Sequence, residues 1–471
     1  MRTLGMVFGG VALVATACSV KDPLYCRSDF DCQNFADRPR CDLTGDHEEN
    51  HLAHTCVANW DPDAGLPDAP ADAPVDATRV CAPSSVTCAN DVLSTCSADG
   101  TSKLDTPCAL GCYTDGTRCY DLDPSNALAA QLDDSVGGPD VVLSDGAVIN
   151  MKTGEVTNGD GSSIAIPSEV VVQAQVDAPK IRVFKVRSMV VGDISVISGE
   201  GAGVVAWPPA LAFVSSGNVL IQGHFDVSAT RDMPGPGASS KAGGTVARPC
   251  EAGWATYSTR QSGSGGGGFL TAGGSGGANA LAGGVGGLED GAGTGEPIRG
   301  GCSGGFRLDD GFRAAGGGAL QIASRTRIDV TGIVDAGGGG GTYRAGGGSG
   351  GEVLLEAPVI SIVGTNAGVV ANGGGGGGGC NPSDGADGSL TLLPSAGGTC
   401  SATGFTNGGN GGAGNVPPTN GVTYSGTANP SGAGGGGGAA GRIWMNTAAG
   451  TATRQGNVVV GQASEGLVRR R

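Results

Sequence analysis

The chain has 471 residues, which is enough for two or three domains. Glycine supplies 92 of them, about a fifth of the chain, while charged residues make up 15% and aromatic residues 4%. This composition is not typical of an enzyme, because most side chains that bind or react are scarce. The formal net charge is −16 with only 28 Lys and Arg. That balance argues against nucleic acid as a partner, since nucleic-acid binding neutralises phosphates with basic side chains.

The first 17 residues have the pattern of an export signal. Arg2 precedes a short apolar run from Leu4 to Val14, and Ala15-Thr16-Ala17-Cys18 follows it. The segment resembles a bacterial lipoprotein signal, which implies that Cys18 is lipidated and becomes the new N-terminus. Setting Cys18 aside leaves 14 of the 15 cysteines, an even number that can pair in an exported protein. An ordinary signal peptide cleaved near Ala17 is the alternative. By analogy with lipoproteins, Ser19 indicates a lipid anchor in the outer membrane, facing the cell surface or the periplasm.

Two cysteine-rich modules follow, at residues 18–58 and 80–121. Each is too short to hold a hydrophobic core unaided, so both are expected to depend on disulfides. The cysteines expected to pair in the modules are Cys26, Cys32, Cys41 and Cys56 in the first and Cys81, Cys88, Cys96, Cys108, Cys112 and Cys119 in the second. Between the modules, residues 59–79 are rich in Asp, Pro and Ala, which favours an extended linker. This linker resembles the stalks of bacterial surface lipoproteins.

Residues 122–471 form a glycine-rich domain that carries an internal repeat. The segment from Leu211 to Gly223 aligns without a gap on the segment from Leu320 to Gly332, and Asp226 then matches Asp335. A third copy starts at Val353, and weaker copies lie at 390–392, 443–445 and 458–460. Each copy alternates apolar residues with others, which is typical of strands with one buried face. Because one repeat buries little alone, the pattern predicts a mainly β solenoid similar to a parallel β-helix. A β-sandwich is the alternative.

Long glycine runs separate the strand repeats, for example at 265–268, 337–341, 346–351, 373–379 and 434–438. Two interpretations are open: flexible loops, or extended polyglycine helices that pack side by side and exchange hydrogen bonds. In composition the runs resemble the ectodomain of anaplastic lymphoma kinase, which implies the second interpretation. Four further cysteines lie among the runs, and chain order alone suggests the pairs Cys250 with Cys302 and Cys380 with Cys400.

Two groups of side chains are candidates for chemistry. His224 and Asp226 lie two residues apart on a predicted strand and share a face, with Asp335 at the matching repeat position. They are candidates for a small acid–base site, although an aspartate ending a strand commonly binds the turn backbone. The second group is His47, His51 and His54, whose spacing suits a metal on a helical face. A polar loop closed by disulfides explains these histidines without a metal and is the favoured interpretation, so neither a metal nor another cofactor is expected.

Taken together, the anchor, linker, cysteine modules and glycine-rich repeats resemble the surface lipoproteins of Gram-negative bacteria. That resemblance assigns no catalytic residue. We therefore expect a non-enzymatic adhesive display module, anchored in the membrane by lipid, that contacts extracellular polysaccharide or matrix. The alternative is a carbohydrate-active β-helix enzyme that uses His224 and Asp226. The terminal residues Arg469 to Arg471 are expected to be a frayed end.

Overall fold

A computed structural model describes residues 79–175, 178–199, 208–239, 248–253, 261–290, 294–306, 312–427 and 430–471, together with the backbone of two short strands nearer the N-terminus. The chain divides into two compact units, Met1–Thr78 and Arg79–Arg471. In the first unit, β1 (Arg40–Asp42) and β2 (Thr55–Val57) pair antiparallel, with Cys41 opposite Cys56. The signal segment, Cys18, Cys26, Cys32 and the histidines His47, His51 and His54 lie outside the described residues.

The second unit begins with a three-stranded antiparallel sheet: β3 (Val86–Ala89), β4 (Val92–Cys96) and β5 (Lys103–Pro107). Asn90 and Asp91 connect β3 to β4 with φ values of 51° and 59°, the left-handed conformation that tight hairpin turns require. The cysteines of this module are paired as Cys81–Cys96, Cys88–Cys112 and Cys108–Cys119. Two of the cysteines, Cys96 and Cys108, are buried. The cross-links thus supply the interior that so small a module lacks.

The rest of the unit is built on three large sheets, and the prediction of a mainly β protein is confirmed. We call them the first, second and third sheets. The first sheet contains β10 (Ser168–Val171), β11 (Ile181–Val186), β14 (Ala210–Ser215), β17 (Ala319–Ser324), β20 (Glu352–Glu356), β23 (Arg442–Thr447) and β26 (Ala463–Leu467). The second contains β6 (Asp140–Leu143), β12 (Ser188–Val191), β15 (Val219–Ile221), β18 (Arg327–Val330), β21 (Val359–Val363) and β24 (Thr453–Gln455). The third contains β7 (Ala147–Asn150), β8 (Val156–Thr157), β9 (Ser163–Ile164), β13 (Ile194–Ile197), β16 (His224–Asp226), β19 (Ile333–Asp335), β22 (Gly368–Val370) and β25 (Val459–Val460).

From β11 onward, consecutive strands enter the first, second and third sheets in turn. Each strand pairs in parallel with the strand three places later, as β14 does with β17 and β16 with β19. The observed register joins Leu211 to Leu320 and Asp226 to Asp335. The sequence repeat therefore matches the strand register: equivalent residues of successive copies lie side by side on neighbouring strands.

The main core lies between the three sheets and is filled by the inward residues of every copy. Three phenylalanines sit at its centre: the Phe184 and Phe213 ring centroids are 5.2 Å apart, and those of Phe213 and Phe225 are 6.1 Å apart. All three side chains are fully buried. Such aromatic contacts add to the hydrophobic stabilisation that the alternating pattern supplies.

A second core covers the outer face of the first sheet. Residues 121–134, which end in helix α1 (Ala129–Asp134) and which we call the covering segment, place Leu122, Leu128 and Leu132 over β11 and β14. The expectation of a frayed C-terminus is wrong, because the end of the chain pairs with this covering segment. Asp121 and Arg471 exchange main-chain hydrogen bonds of 3.1 and 3.0 Å, and the Arg470 guanidinium lies 4.8 Å from the ring centroid of Tyr120.

The weak repeat copy at 390–392 is not a strand, and that prediction is wrong. Leu390 and Leu392 are exposed in a turn-rich stretch. Asn372 holds this stretch by donating side-chain hydrogen bonds of 2.6 Å to the carbonyls of Ser389 and Thr391. The copies at 443–445 and 458–460, in contrast, contribute β23 and β25. Alternation over three residues is too short a signal to separate a strand from a turn.

The glycine runs belong to three insertions, at 227–318, 336–351 and 371–441. Each insertion leaves the end of a strand in the third sheet (β16, β19 or β22) and returns to the start of the next strand in the first sheet. Because those strands are neighbours, the insertions start side by side: Val227 donates a hydrogen bond to Asp335, and Ala336 to Val370. We call the glycine-rich segments of these insertions together the glycine bundle.

Within the described residues, the glycine bundle is an ordered array of extended chains. The run 263–268 shows the pattern: Gly263 and Gly266 donate to the carbonyls of Gly277 and Gly274, Ser264 and Gly267 donate to Arg344 and Gly347, and Gly265 and Gly268 donate to Gly253 and Cys250. The partner therefore changes with every residue and recurs every third residue, the period of a polyglycine helix. The carbonyls of the same run accept from three other segments, through Gly284 and Gly287, Gly436 and Ala439, and Gly305.

Glycine is required in these runs because the chains touch. A β-carbon on Gly263 or Gly266 would overlap the carbonyl oxygens of Gly434 and Gly437. The pairs Cys250–Cys302 and Cys380–Cys400, expected from chain order, are those the structure joins within the bundle. Lateral hydrogen bonds therefore offset the entropic cost of ordering so many glycines.

Candidate functional site

His224, Asp226 and Asp335 come together on the outer face of the third sheet. Strands β16 and β19 are neighbours in parallel register, so Asp226 lies directly beside Asp335. Phe225 and Val334 point into the main core and are fully buried, which turns the residues on either side of them outward. The sequence prediction that Asp335 lies one copy away from Asp226 on the same face agrees with this geometry.

The turn before β16 is held by a glycine and an aspartate. A β-carbon on Gly223 would overlap the main chain of Gly192 and Asp193 in the preceding copy. That close approach lets the Asp193 Oδ1 accept the main-chain N–H of His224 at 2.6 Å. The backbone of His224 is therefore fixed by a side chain of the neighbouring copy.

The three side chains are close enough to act on one another. The His224 Nε2 lies 3.7 Å from the Asp335 Oδ2, an ion-pair separation that is longer than a direct hydrogen bond. One ligand-type atom from each of His224, Asp226 and Asp335 lies within 4.8 Å of the others. The His224 side chain is 34% exposed and the Asp335 side chain 5%. The group is thus open to solvent on the histidine side and buried on the Asp335 side.

Both aspartates also bind the turns that follow their strands. The Asp226 Oδ1 accepts the N–H of Ser228 at 2.8 Å, and the Asp335 Oδ1 accepts the N–H of Gly337 at 2.8 Å. This is the turn role that the sequence offered as the alternative to chemistry. Each contact uses one carboxylate oxygen, so the other oxygen of each residue can serve the cluster.

The charges in this group affect the pKa values of His224 and Asp335. The contact with the Asp335 carboxylate, together with nearby Asp226 and Asp193, raises the pKa of His224 above its ordinary value although partial burial opposes this. Burial raises the pKa of Asp335, and the adjacent Asp226 adds to that rise. Two carboxylates this close to one imidazole favour a positive charge at this place, whether on the imidazole or on a bound cation.

A second polar group, which the sequence analysis did not single out, is buried beside the second core. Glu352 and Glu356 lie on β20 and are buried. The Glu352 carboxylate accepts hydrogen bonds from the Trp444 Nε1 at 3.0 Å and from the Arg299 N–H at 3.1 Å. Burial raises the pKa of Glu352 to about 7. The only signal in the sequence was a charged residue at each end of the otherwise apolar strand Glu-Val-Leu-Leu-Glu.

Glu356 is bound in a similar way by the covering segment. It accepts hydrogen bonds from the Ser125 Oγ at 2.7 Å, the Ser125 N–H at 3.1 Å and the Gln321 Nε2 at 2.8 Å. Burial raises its pKa as well. Both glutamates are enclosed by donors: Glu356 holds Ser125 of the covering segment, and Glu352 holds the Arg299 main chain and the Trp444 side chain, so neither is offered as a reactive site.

The outer layer of the glycine bundle is a third feature with functional interest. Residues 388–441 contain no Asp, Glu, Lys or Arg. Exposed asparagines take the place of main-chain acceptors at its edge. The Asn407 Oδ1 accepts the N–H of Cys400 at 2.7 Å, and the Asn410 Oδ1 accepts that of Gly397 at 3.0 Å. The Asn420 Oδ1 accepts the N–H of Ser275 at 2.7 Å. The Thr423 Oγ1 likewise accepts the N–H of Ala278 at 3.2 Å. Because residues 431–441 are buried inside the bundle, we give the name uncharged face to the exposed residues of 388–427.

In the part of the chain that the structure describes, no helix is both long and apolar enough to cross a membrane. Comparison of the chain with protein-family models, with curated proteins and with solved structures finds no match.

Proposed function

We propose that the protein is a non-enzymatic, lipid-anchored cell-surface protein whose glycine-rich domain is an adhesive display module for neutral extracellular polysaccharide or matrix. The observation that carries this proposal is the uncharged face. It is an ordered surface without charged side chains, in a chain whose net charge is −16. Neutral polymers rich in hydroxyl groups suit such a surface, because it offers amide and hydroxyl groups without demanding counter-charges.

The proposal includes a solenoid. The cyclic order of strands through three parallel sheets, with equivalent residues side by side, supports one continuous β-helix-like stack rather than a β-sandwich. A stack of this kind is rigid along its length, since each copy contacts its neighbours throughout. This rigidity keeps the strand ends from which the glycine bundle extends in fixed positions.

The location in the proposal comes from the N-terminal sequence. Cys18 after a short apolar run supports a lipid anchor in the outer membrane, and the Asp/Pro/Ala linker supports a spacer between anchor and domain. Substituting Cys18→Ala is expected to release the protein from membranes into the soluble export fraction. Protein that stays in the membrane fraction after this substitution would contradict the anchor.

The adhesive role is tested at three asparagines of the uncharged face. Aspartate at positions 407, 410 and 420 keeps the Oδ1 acceptor that the bundle uses, but it removes the amide donor left to a ligand and adds charge. We expect the triple variant N407D/N410D/N420D to bind neutral polysaccharides, such as immobilised glucans and galactans, at least about 10-fold more weakly than the wild type, the loss of roughly one hydrogen bond to a ligand.

The matched control is Asn366→Asp, at an exposed position in the turn between β21 and β22 and outside the uncharged face. It should leave binding unchanged. The proposal fails if the wild-type protein binds no polysaccharide or matrix polymer of the panel, or if the triple variant binds as well as the wild type.

A second candidate is a carbohydrate-active enzyme using His224 and Asp226. It is favoured by one observation, the proximity of His224 to two carboxylates on adjacent strands. Under that alternative, His224→Ala and Asp226→Asn abolish turnover of a polysaccharide while binding persists. Absence of turnover by the wild type across the same panel would eliminate it.

A further inference from the structure

In the described part of the chain, the imidazole of His224 has a nitrogen that lacks a hydrogen-bond partner. Among the described residues, the His224 Nε2 is buried and has no hydrogen-bond partner. Its nearest charged neighbour is the Asp335 Oδ2, at 3.7 Å. A buried imidazole nitrogen without a partner is costly, so its position beside two carboxylates calls for a further group.

We infer that His224, Asp226 and Asp335 form a binding site for a divalent transition-metal ion, with zinc as the preferred ion. The site is independent of the proposed adhesive role and of the histidines at 47, 51 and 54. A mixed set of one imidazole nitrogen and carboxylate oxygens suits zinc better than magnesium or calcium, which prefer oxygen alone.

The geometry is close to what such an ion requires. Zinc binds nitrogen and oxygen ligands at about 2.0–2.2 Å in tetrahedral sites, which places ligand atoms about 3.3–3.6 Å apart. The His224 Nε2 and Asp335 Oδ2 already lie 3.7 Å apart, and all three ligand atoms lie within 4.8 Å. His224 and Asp226 are only half-buried, so small side-chain rotations can close the remaining gap onto the buried Asp335.

The surroundings also orient the ligands. Main-chain N–H groups of Ser228 and Gly337 bind one oxygen of Asp226 and of Asp335, which fixes each carboxylate in its plane. Asp193 fixes the backbone of His224. Such outer contacts are the usual means of holding metal ligands in place. Three protein ligands leave one position of a tetrahedral ion open to water or to an external ligand.

The experiment uses the full chain in a background in which His47, His51 and His54 are all replaced by alanine, so that they cannot contribute. After treatment with a chelator and its removal, zinc chloride is titrated by calorimetry. We expect one bound ion per chain in this background. The variants Asp335→Asn and His224→Gln are each expected to weaken binding by at least about 10-fold, the lower end of what changes around a metal cost.

The control is Asp329→Asn, an aspartate of the neighbouring second sheet that pairs with Arg327; it should bind zinc as the background protein does. Asparagine at 335 keeps the Oδ1 that accepts the Gly337 N–H, and circular dichroism shows whether each variant is folded. In a second measurement cobalt replaces zinc. The visible absorption of bound cobalt reports tetrahedral coordination. The inference is wrong if the background protein binds no zinc, or if folded Asp335→Asn and His224→Gln both bind it unchanged.

Discussion

Gly266 and Gly437 lie in direct main-chain contact, and a β-carbon on Gly266 would overlap the carbonyl oxygen of Gly437. That same carbonyl accepts the N–H of Gly274, whose own carbonyl accepts the N–H of Gly266. Two runs of the first insertion and one run of the third therefore share one contact point. The glycine bundle has no side chains to interdigitate at such points, so its order depends on main-chain contact and hydrogen bonds.

Substituting Gly266→Ala is expected to lower the free energy of unfolding by about 1–3 kcal/mol, the usual cost of inserting a methyl group where no space exists. The control is Gly137→Ala, because a β-carbon there meets nothing within 4 Å. It should change the free energy of unfolding by no more than about 0.5 kcal/mol. Chemical denaturation followed by circular dichroism measures both, and equal stability of the two variants would contradict the close packing described.

Amide hydrogen exchange gives a direct test of order in the glycine bundle. Because the N–H groups of 263–268, 346–351, 373–379 and 434–439 donate hydrogen bonds to neighbouring segments, peptides covering these runs should exchange slowly, like those covering β14. Mass spectrometry on the disulfide-intact protein provides the measurement, with the denatured protein as reference. Exchange of the runs at the rate of the denatured chain would show that they are loose loops.

Glu352 is expected to make stability depend on pH. Its pKa is raised by burial from 4.5 to about 7 in the folded protein, against the opposing effect of the Arg299 N–H, Arg442, Trp444 and Arg248. The unfolded chain ionises this group near 4.5, so its favourable contribution is complete below that pH and is lost as pH rises through 7. The loss amounts to about 3 kcal/mol.

The variant Glu352→Gln should therefore match the wild type near pH 4.5 and exceed it in thermal stability at pH 8. Glu155→Gln, at an exposed position, is the control and should reproduce the wild-type pH profile. Thermal unfolding at closely spaced pH values provides the test. A wild-type profile that does not change on substitution at 352 would show that the carboxyl group ionises normally.

Asp121 of the covering segment pairs with Arg471 at the C-terminal end and with Arg325, which directly follows β17. Its carboxylate lies 2.7 Å from the Arg325 guanidinium and 3.0 Å from that of Arg471. Asp121→Asn is expected to cost about 1 kcal/mol of unfolding free energy at low salt and less in 1 M NaCl, because salt screens partly exposed pairs. Asp105→Asn, in the exposed pair with Lys103, should cost less, and an equal cost for both in denaturation experiments would contradict a special role for Asp121.

The repeats of the glycine-rich domain were readable from sequence because their information is local. Alternation of apolar residues sets which side chains point inward, and the match between Leu211–Gly223 and Leu320–Gly332 anticipates the register of β14 with β17. The same match placed Asp335 beside Asp226. Alternation fails at Leu390 and Leu392, where an isolated three-residue pattern lies in a turn.

Tertiary structure alone decided the rest, because the relevant partners are far apart in the chain and leave no local pattern. A glycine run carries no side-chain periodicity, so only the positions of six surrounding segments show that 263–268 is ordered. Arg471 at the end of the chain is ordered because Asp121, 350 positions earlier, binds both its main chain and its side chain. The buried Glu352 carboxylate is satisfied by donors that lie more than 50 positions earlier and 90 positions later in the chain. By itself the sequence determined which faces of the strands are apolar; long-range packing decided which polar groups and which glycines are enclosed.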